Sequence, residues 1–177
     1  MKRIISILLV TVMLVAMIPA AAVTAGADVA AETPAATGKW TDAGNYDLSW
    51  AEPFITDTAT DKESCTVDGK IYTIKYLANP ENRVIEIDTA KKLAGIAVLA
   101  NATNIETFCG AIFKITEKID LSGYIWEPIA NTTSKKFRGT ITADTEGIIS
   151  GMTIVDTVYD GNEAYGLVGN QGRCPYR

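Results

Sequence analysis

The feature that most constrains this 177-residue chain is a five-residue pattern that occurs twice, at positions offset by 29. The pattern Phe-x-Gly-x-Ile stands at Phe108–Ile112 and at Phe137–Ile141, and apolar runs follow at Ile115–Leu121 and Ile148–Val155. A third apolar run begins at Tyr165. Glycine at turns and a short period are typical of solenoids, in which each unit buries its apolar face against the next. The repeat therefore predicts a mainly β solenoid.

One α-helix is predicted near 89–101, before the first copy of the repeat. Its apolar residues recur at the spacing i, i+3, i+4 and i+7, which places them on one face: Leu93, Ile96, Ala97 and Ala100. Thr89 is the expected N-cap, with Asp88 as the alternative. Two lysines fall in the first turn, where the helix dipole disfavours cations. We therefore expect packing, rather than local electrostatics, to hold this helix.

Shorter β-like runs precede the helix. Cys65–Val67 and Lys70–Leu77 flank Asp68 and Gly69, a pair typical of a two-residue hairpin turn. Arg83–Asp88 follows a turn at Asn79–Asn82 and is a further β-like run. The sequence thus predicts a hairpin, followed by a strand that leads into the helix.

Residues 1–27 carry the pattern of a cleaved export signal. Two basic residues follow the initial methionine, an apolar run covers Ile4–Ile18, and small residues precede the expected first mature residue, Asp28. Cleavage after Ala22 is an alternative. An uncleaved membrane anchor is another, but a bilayer span needs roughly 20 apolar residues. The sequence therefore predicts a secreted, extracellular location, with membrane contact only through the signal before cleavage.

Composition and charge exclude several function classes. The net charge is −5, and no basic stripe is present, which argues against nucleic acid and anionic membrane surfaces as partners. The chain contains no histidine, which removes Ser-His-Asp and Cys-His nucleophiles and most zinc sites. No spacing singles out a pair of carboxylates for glycoside hydrolysis. The sequence predicts no enzyme, no cofactor and no metal.

The three cysteines, Cys65, Cys109 and Cys174, do not form the pattern of a disulfide framework, because their number is odd and their spacing irregular. The sequence favours Cys65 and Cys109 as small, buried apolar residues. One disulfide with one free thiol is the alternative for an exported chain.

Four aromatic residues are the candidate ligand-binding set: Trp40, Tyr46, Trp50 and Trp126. The first three lie among turn-forming residues just after the leader that residues 28–38 are predicted to form. Exposed aromatic rings could stack on the sugar rings of a cell-wall or host glycan. The alternative is that these rings pin their segment onto the fold.

Five motifs follow one another in the chain: IDTAKKLAGIAVLAN (87–101), FCGAIFKITEKIDLSGYIWEPIA (108–130), FRGTI (137–141), IISGMTI (148–154) and YGLVG (165–169). In this order they resemble secreted bacterial proteins of the GLUG-motif type. That family is named for a Gly-Leu-apolar-Gly repeat, here the structural motif Gly166, Leu167, Val168 and Gly169. The resemblance implies a right-handed parallel β-helix whose N-terminal end is covered by the helix near 89–101. It also implies large extracellular, often surface-attached proteins in which the repeat acts as a stalk or adhesin-like module.

The chain departs from the family at two turns: Ala130 stands where glycine is usual, and residues 141–148 contain a single glycine, Gly147. On the resemblance, residues 39–169 form the N-terminal cap and first coils of a β-helix, and 170–177 form an irregular tail. A solenoid end without a cap exposes an apolar layer and strand edges. A truncated N-terminal part of a longer protein is therefore expected. The alternatives are a small complete protein whose tail folds over this end, or self-association through it.

The functional prediction is a non-catalytic structural or adhesin-like module of a secreted or surface-attached bacterial protein. The alternative is an extracellular glycan-binding module that uses exposed aromatic residues. The expected partners are a cell-wall or host glycan or another surface protein.

Overall fold

The computed structural model describes seven stretches of the chain: residues 37–59, 64–75, 84–102, 106–155, 158–159, 162–163 and 166–174. They belong to one compact unit, Pro34–Arg177. The predicted export signal, residues 1–27, lies outside the described residues. So does the predicted leader, residues 28–38, apart from its last two positions.

Within these stretches the structure contains two helices and twelve short strands. The helices are the 3-10 helix Ser49–Phe54 and helix α1, Ala90–Asn101. The strands in chain order are β1 (Ile55–Thr56), β2 (Ser64–Val67), β3 (Lys70–Thr73), β4 (Val84–Ile87), β5 (Glu106–Thr107), β6 (Ile112–Ile115), β7 (Ile119–Asp120), β8 (Lys136–Phe137), β9 (Thr140–Ala143), β10 (Ile149–Ser150), β11 (Val158–Tyr159) and β12 (Asn162–Glu163).

Helix α1 confirms the predicted helix and its preferred cap. Thr89 is extended, with φ −138° and ψ 154°, and its hydroxyl oxygen accepts a hydrogen bond from the backbone N–H of Lys92 at 3.3 Å. Seven of the twelve helical residues are buried: Leu93, Ala94, Gly95, Ile96, Ala97, Leu99 and Ala100. Burial contributes about 0.8 kcal/mol per methylene, whereas a cation in the first turn costs at most about 1 kcal/mol. Packing therefore holds this helix.

Gly95 lets the segment before the 3-10 helix lie directly on α1. A Cβ atom at this position would overlap the carbonyl oxygen of Asp47. The backbone N–H of Asp47 donates to the carbonyl of Lys91 at 2.9 Å, and Lys91 Nζ donates to the carbonyl of Gly44 at 2.8 Å. The helix thus fixes the segment that carries Tyr46.

The β2–β3 hairpin confirms the prediction made from Asp68 and Gly69. These residues have φ values of 50° and 73°, the pair of positive values that a type I′ turn requires. Strand β1 pairs with the other edge of β3, which gives an antiparallel sheet in the order β1–β3–β2. Cys65 and Tyr72 are opposite each other in this sheet, and both are buried.

Most of the later strands pair in parallel. Strands β4, β6 and β9 form one three-stranded sheet, and β5–β8 and β7–β10 form two-stranded sheets. Paired positions are offset by 28 residues in the first sheet, as in Val84 with Ile112, and by 30 residues in the others, as in Ile119 with Ile149. Such offsets supply the long connections that parallel strands need.

The predicted right-handed parallel β-helix is wrong. The described residues form separate sheets of two or three short strands, two of these sheets are antiparallel, and the sheets make neither a solenoid nor a closed barrel. Helix α1 packs against β2 and β4, so it does not cap a solenoid. The fold of the described residues is a small mixed α/β unit.

The sequence repeat misled because its two copies are not structurally equivalent. Thr107, rather than Phe108, pairs with Phe137, whereas Ile112 pairs with Thr140. The first copy therefore holds two more residues between paired positions than the second copy does. Left-handed φ values at Phe108 (61°) and at the glycine two positions later (90°) accommodate the additional residues.

The core contains a cluster of aromatic rings. Phe108, Phe113 and Phe137 are each at most 1% exposed, and the Phe108 ring centroid lies 5.1 Å from that of Phe113 and 6.0 Å from that of Phe137. Trp50 in the 3-10 helix adds an edge contact to Phe113 at 5.5 Å. Such pairs contribute about 0.5–1.5 kcal/mol each beyond their buried area. The 3-10 helix is thus anchored on this core.

Residues 166–174, here called the C-terminal segment, run parallel to residues 126–138. Isolated bridges pair Val168 with Ile129 and Gln171 with Phe137. The predicted irregular tail is described as far as position 174, where a disulfide joins it to the body of the fold.

The disulfide links Cys109 and Cys174, 65 positions apart, with their Cα atoms 5.4 Å from each other. Cys109 is buried, as expected, but it is bonded rather than free. Cys65 is the buried free thiol of the described chain, and burial raises its pKa to about 11. The pattern is therefore one disulfide with one free thiol, the alternative that the sequence left open.

Candidate functional site

A groove of about 290 Å³ lies between the 3-10 helix with its preceding residues and the β2–β3 hairpin. Its lining combines two tyrosine rings, three carboxylates, an ammonium group and a hydroxyl group. The lining residues are Tyr46, Asp47, Leu48, Ser49, Glu52, Asp68, Lys70 and Tyr72. Tyrosine offers an apolar face with a polar tip, and carboxylates accept hydrogen bonds. The combination suits a ligand that carries hydroxyl or amino groups together with C–H faces.

The hydroxyl of Tyr46 ties the two walls of the groove together. It lies 2.9 and 2.8 Å from the two carboxylate oxygens of Asp68, to which it donates. Asp68 reaches this position from the first residue of the hairpin turn. The Tyr46 ring is half-buried and Asp68 is exposed, so a ligand has access to both.

Both groove tyrosines keep their protons at neutral pH. Burial raises the pKa of Tyr46 to about 12, and the hydrogen bond to Asp68 and the negative charge of that carboxylate add to the effect. Burial also raises the pKa of Tyr72, with further contributions from the charges of Asp68, Cys65 and Glu52. A phenol with a raised pKa is neutral at pH 7. At neutral pH these side chains are therefore protonated phenols rather than bases, and Tyr46 donates to Asp68.

Asp47 is held in place by Ser49. The backbone N–H and the hydroxyl of Ser49 donate to the two oxygens of Asp47 at 2.8 and 2.9 Å, a local turn typical of aspartate. A carboxylate offers about four acceptor positions, so Asp47 keeps acceptor capacity for a ligand. With Glu52 and Asp68 it outweighs the single positive charge of Lys70, and the groove favours ligands that donate hydrogen bonds or carry positive charge.

Two of the four candidate ligand-binding residues lie in the core instead. Trp40 is 7% exposed and Trp126 is 1% exposed. The indole N–H of Trp40 donates to the carbonyl of Leu121 at 3.0 Å, and that of Trp126 donates to the carbonyl of Leu167 at 3.2 Å. Enclosed in this way, the two rings pin their neighbours onto the fold and present no face to a ligand.

Trp50 lies close to the groove but does not line it. Its half-buried ring packs edge-on against Phe54 and Phe113, with centroid distances of 6.5 and 5.5 Å. Its indole nitrogen is buried without a hydrogen-bond partner. Of the four candidate residues, the structure therefore places only Tyr46 in the groove lining.

The motif Gly166–Gly169 acts as part of the C-terminal segment. The backbone N–H of Ile129 donates to the carbonyl of Leu167 at 3.0 Å, and the N–H of Gly169 donates to the carbonyl of Ile129 at 2.9 Å. Leu167 and Val168 pack against the core. Gly166 has a φ of 100°, a conformation that glycine adopts without strain.

Sequence reasoning missed the seven other lining residues, including Asp47, Glu52 and Asp68. A partial signal was present, because the predicted hairpin fixes Asp68 in a turn and strand alternation puts Lys70 and Tyr72 on one face. The contact between Asp68 and Tyr46 spans 22 positions. No local pattern indicates that contact, since it depends on how the segment before the 3-10 helix packs on α1.

Two further findings concern the described residues only. No group of three or more histidine, cysteine or carboxylate side chains is placed there to hold a metal ion. Neither described helix is long and apolar enough to cross a bilayer.

Comparison with known proteins gives no match: no family model, no curated protein and no solved structure is similar to the chain. The resemblance to GLUG-motif proteins therefore stays a prediction. The functional inference rests on the residues of this chain.

Proposed function

We propose that this chain is a non-catalytic, adhesin-like structural module of an exported protein. The observation that carries the proposal is the disulfide between Cys109 and Cys174. Disulfides persist in oxidising, extracytoplasmic compartments and are rare in reducing ones. The export pattern of residues 1–27 supports the same location.

The position of the disulfide supports a structural role. It fastens the C-terminal segment to the body of the fold and closes a loop of 65 positions. In the chain-entropy model a loop of this length gives about 4 kcal/mol of stabilisation. The absence of histidine from the sequence leaves its hydroxyl and thiol groups without the commonest activating base.

Expression of the full chain in a bacterium tests this proposal. We expect a processed chain outside the cytoplasm, beginning at Asp28 or Val23, with Cys109 and Cys174 joined in non-reducing peptide mass spectrometry. The control is Leu9→Arg, which interrupts the apolar run and should leave an unprocessed cytoplasmic chain. An unprocessed wild-type chain with free Cys109 and Cys174 thiols would contradict the proposal.

A second candidate function, glycan binding, is favoured by the groove around Tyr46. Sugar recognition needs an aromatic face for C–H groups and acceptors for hydroxyl hydrogens. The half-buried Tyr46 ring and the carboxylates of Asp47, Glu52 and Asp68 supply both in one groove. The excess negative charge favours an amino sugar over an acidic one.

Calorimetric titration with neutral, N-acetylated and deacetylated amino-sugar tetramers tests this function. We expect the deacetylated tetramer to bind most tightly, and Glu52→Gln to weaken it about tenfold, because a charge-assisted hydrogen bond contributes about 1.5–3 kcal/mol. Glu117→Gln is the matched control, since Glu117 is exposed and lies outside the groove lining. Equal effects of the two substitutions, or no binding of any tetramer, would reject the groove as a glycan site.

A further inference from the structure

The C-terminal segment covers apolar residues without burying any of its own. Every residue of 166–174 is half-buried or exposed. The residues along which it runs include Trp126, Ile129, Ala130 and Phe137, each at most 1% exposed. The segment is thus a cover for residues 126–138, here called the receiving edge.

Backbone hydrogen bonds hold the segment on the receiving edge. Besides the two bonds of Ile129, the N–H of Asn170 donates to the carbonyl of Ala130 at 3.0 Å, the N–H of Phe137 donates to the carbonyl of Asn170 at 3.0 Å, and the N–H of Gly172 donates to the carbonyl of Phe137 at 2.9 Å. This alternation of donors and acceptors is the pattern by which an added strand binds a sheet edge.

Side-chain contacts make the edge selective for this sequence. The amide nitrogen of Asn170 donates to the carbonyl of Thr132 at 2.7 Å. The guanidinium of Arg138 donates to the carbonyl of Arg173. Leu167 and Val168 pack against the core. The receiving edge is therefore complementary to residues 166–174 in particular.

We propose that the C-terminal segment is exchangeable, and that a second copy of this chain can dock its own residues 166–174 on the receiving edge before the Cys109–Cys174 disulfide closes. The disulfide then forms between the copies, with Cys109 from one and Cys174 from the other. The segment that docks between copies is again residues 166–174, because the structure shows that these residues fit the receiving edge. The inference goes beyond the proposed function and does not depend on it.

Protein concentration decides whether residues 166–174 dock on the receiving edge of their own chain or on that of a second copy. A segment tethered to its own edge has an effective concentration on the order of millimolar. Docking within one copy therefore wins in dilute solution. Exchange becomes competitive where chains are crowded and still reduced, and the disulfide then traps whichever arrangement is present.

Formation of the disulfide between copies requires a two-electron oxidant, and a disulfide such as oxidised glutathione supplies it. The thiolate of one cysteine attacks the oxidant, forms a mixed disulfide and releases one glutathione thiolate. The thiolate of the other cysteine then displaces the second glutathione. Two protons leave the cysteine thiols, and two electrons pass from them to the oxidant.

The test mixes two variants that cannot close the disulfide within one chain: Cys109→Ser and Cys174→Ser, both carrying Cys65→Ala. After oxidation at high concentration, we expect a heterodimer joined from Cys109 of one chain to Cys174 of the other, identified by peptide mass spectrometry. Its yield should rise with protein concentration. Chains that stay monomeric, or that form only Cys109–Cys109 and Cys174–Cys174 dimers, overturn the proposal.

Adding Gly172→Pro to the Cys109→Ser chain separates docking from random collision. Proline cannot donate to the carbonyl of Phe137, so we expect about a tenfold lower heterodimer yield. An unchanged yield means that the two thiols meet by random collision without docking of the segment, and it overturns the proposal.

If either cysteine variant fails to fold, the Cys65→Ala chain alone gives the same information. Light and heavy-nitrogen samples are reduced with a dithiol, mixed, concentrated and reoxidised. Cross-linked peptides of mixed isotope support exchange. Peptides of one isotope only overturn it.

Discussion

Helix α1 and the C-terminal segment both cover the core, but different forces hold them. The helix buries seven of its twelve residues and contains no cysteine that could form a disulfide. The C-terminal segment, nine residues long, buries none and depends on backbone hydrogen bonds and one disulfide. The helix is therefore stable wherever its apolar face is covered, whereas the segment depends on its pairing with residues 126–138 and gains further stability from the disulfide at its end.

Because of this difference, we expect the helix and the segment to respond differently to redox state, pH and substitution. Burial of apolar surface is insensitive to redox state and only weakly sensitive to pH. A backbone pairing contributes about 0.5–1.5 kcal/mol net for each hydrogen bond, and it can form again with the same strand of a second copy. We expect substitutions in the helix to change global stability, and substitutions in the segment to change its local opening.

Leu93→Ala should have the largest effect, because Leu93 is fully buried on the core-facing side of α1. We expect a loss of about 2–5 kcal/mol in the free energy of unfolding, measured by chemical denaturation. The matched change in the C-terminal segment is Val168→Ala, which removes methyl groups from a half-buried side chain. It should cost about 1 kcal/mol or less. Equal losses of unfolding free energy at the two positions would contradict the inference that α1 contributes more to the core than the C-terminal segment does.

Cys174→Ser should have the next largest effect, because it releases the end of the C-terminal segment. We expect a loss of about 2–4 kcal/mol in the free energy of unfolding. The control is the wild-type chain treated with a dithiol reductant, which should match the variant. If oxidised and reduced wild-type chains unfold at the same denaturant concentration, the segment is not held by the disulfide.

The same contrast marks how far the sequence could predict the fold. Thr89 and the apolar spacing of α1, and Asp68 with Gly69 in the hairpin, are local signals, and both elements form where expected. The solenoid prediction failed because the two Phe-x-Gly-x-Ile copies are alike in sequence but unlike in pairing. The two copies differ in backbone conformation, because Phe108 and the glycine two positions later have positive φ angles. No residue pattern in the sequence predicts these angles.

The candidate site shows the same limit. Tyr46 was singled out for its aromatic ring, but Asp68 and Tyr72 reach the same groove from the β2–β3 hairpin. The segment that carries Tyr46 lies on α1, where Gly95 permits the close approach of the Asp47 carbonyl. Trp40 and Trp126 carried the same sequence signal as Tyr46 and are buried instead. Residue type alone cannot separate these cases, because exposure is set by the packing of distant elements.

Gly95→Ala tests whether the segment before the 3-10 helix packs on α1 at this glycine. We expect a change in the free energy of unfolding that is smaller than that of Leu93→Ala. Helix propensity alone predicts a gain of about 1 kcal/mol for this change. The overlap of the new Cβ with the Asp47 carbonyl oxygen predicts a loss of about 1–3 kcal/mol instead. The sign of the change in unfolding free energy, measured by denaturation, therefore decides whether the segment before the 3-10 helix lies on α1. A more stable variant would place that segment elsewhere.

Tyr46→Phe should have the smallest effect at neutral pH, because the hydrogen bond to Asp68 is partly exposed to solvent. We expect a loss of about 0.5 kcal/mol. The pH dependence is more informative. The pKa of Tyr46 is raised from 10.0 to about 12, so the folded state holds the phenol proton more tightly than the unfolded state does. Its contribution to stability is complete below pH 10 and is lost as the pH rises from 10 to 12.

The variant should accordingly show a shallower loss of stability between pH 10 and pH 12 than the wild-type chain. The decline should not vanish, because burial also raises the pKa of Cys65 to about 11 and raises that of Tyr72. Asp68→Asn provides the companion measurement. It removes the negative charge beside the phenol, so tyrosinate absorbance should show Tyr46 titrating at lower pH. If neither substitution changes the dependence of stability or absorbance on alkaline pH, Tyr46 and Asp68 are not hydrogen-bonded in solution. The two walls of the groove are then not joined as the structure shows.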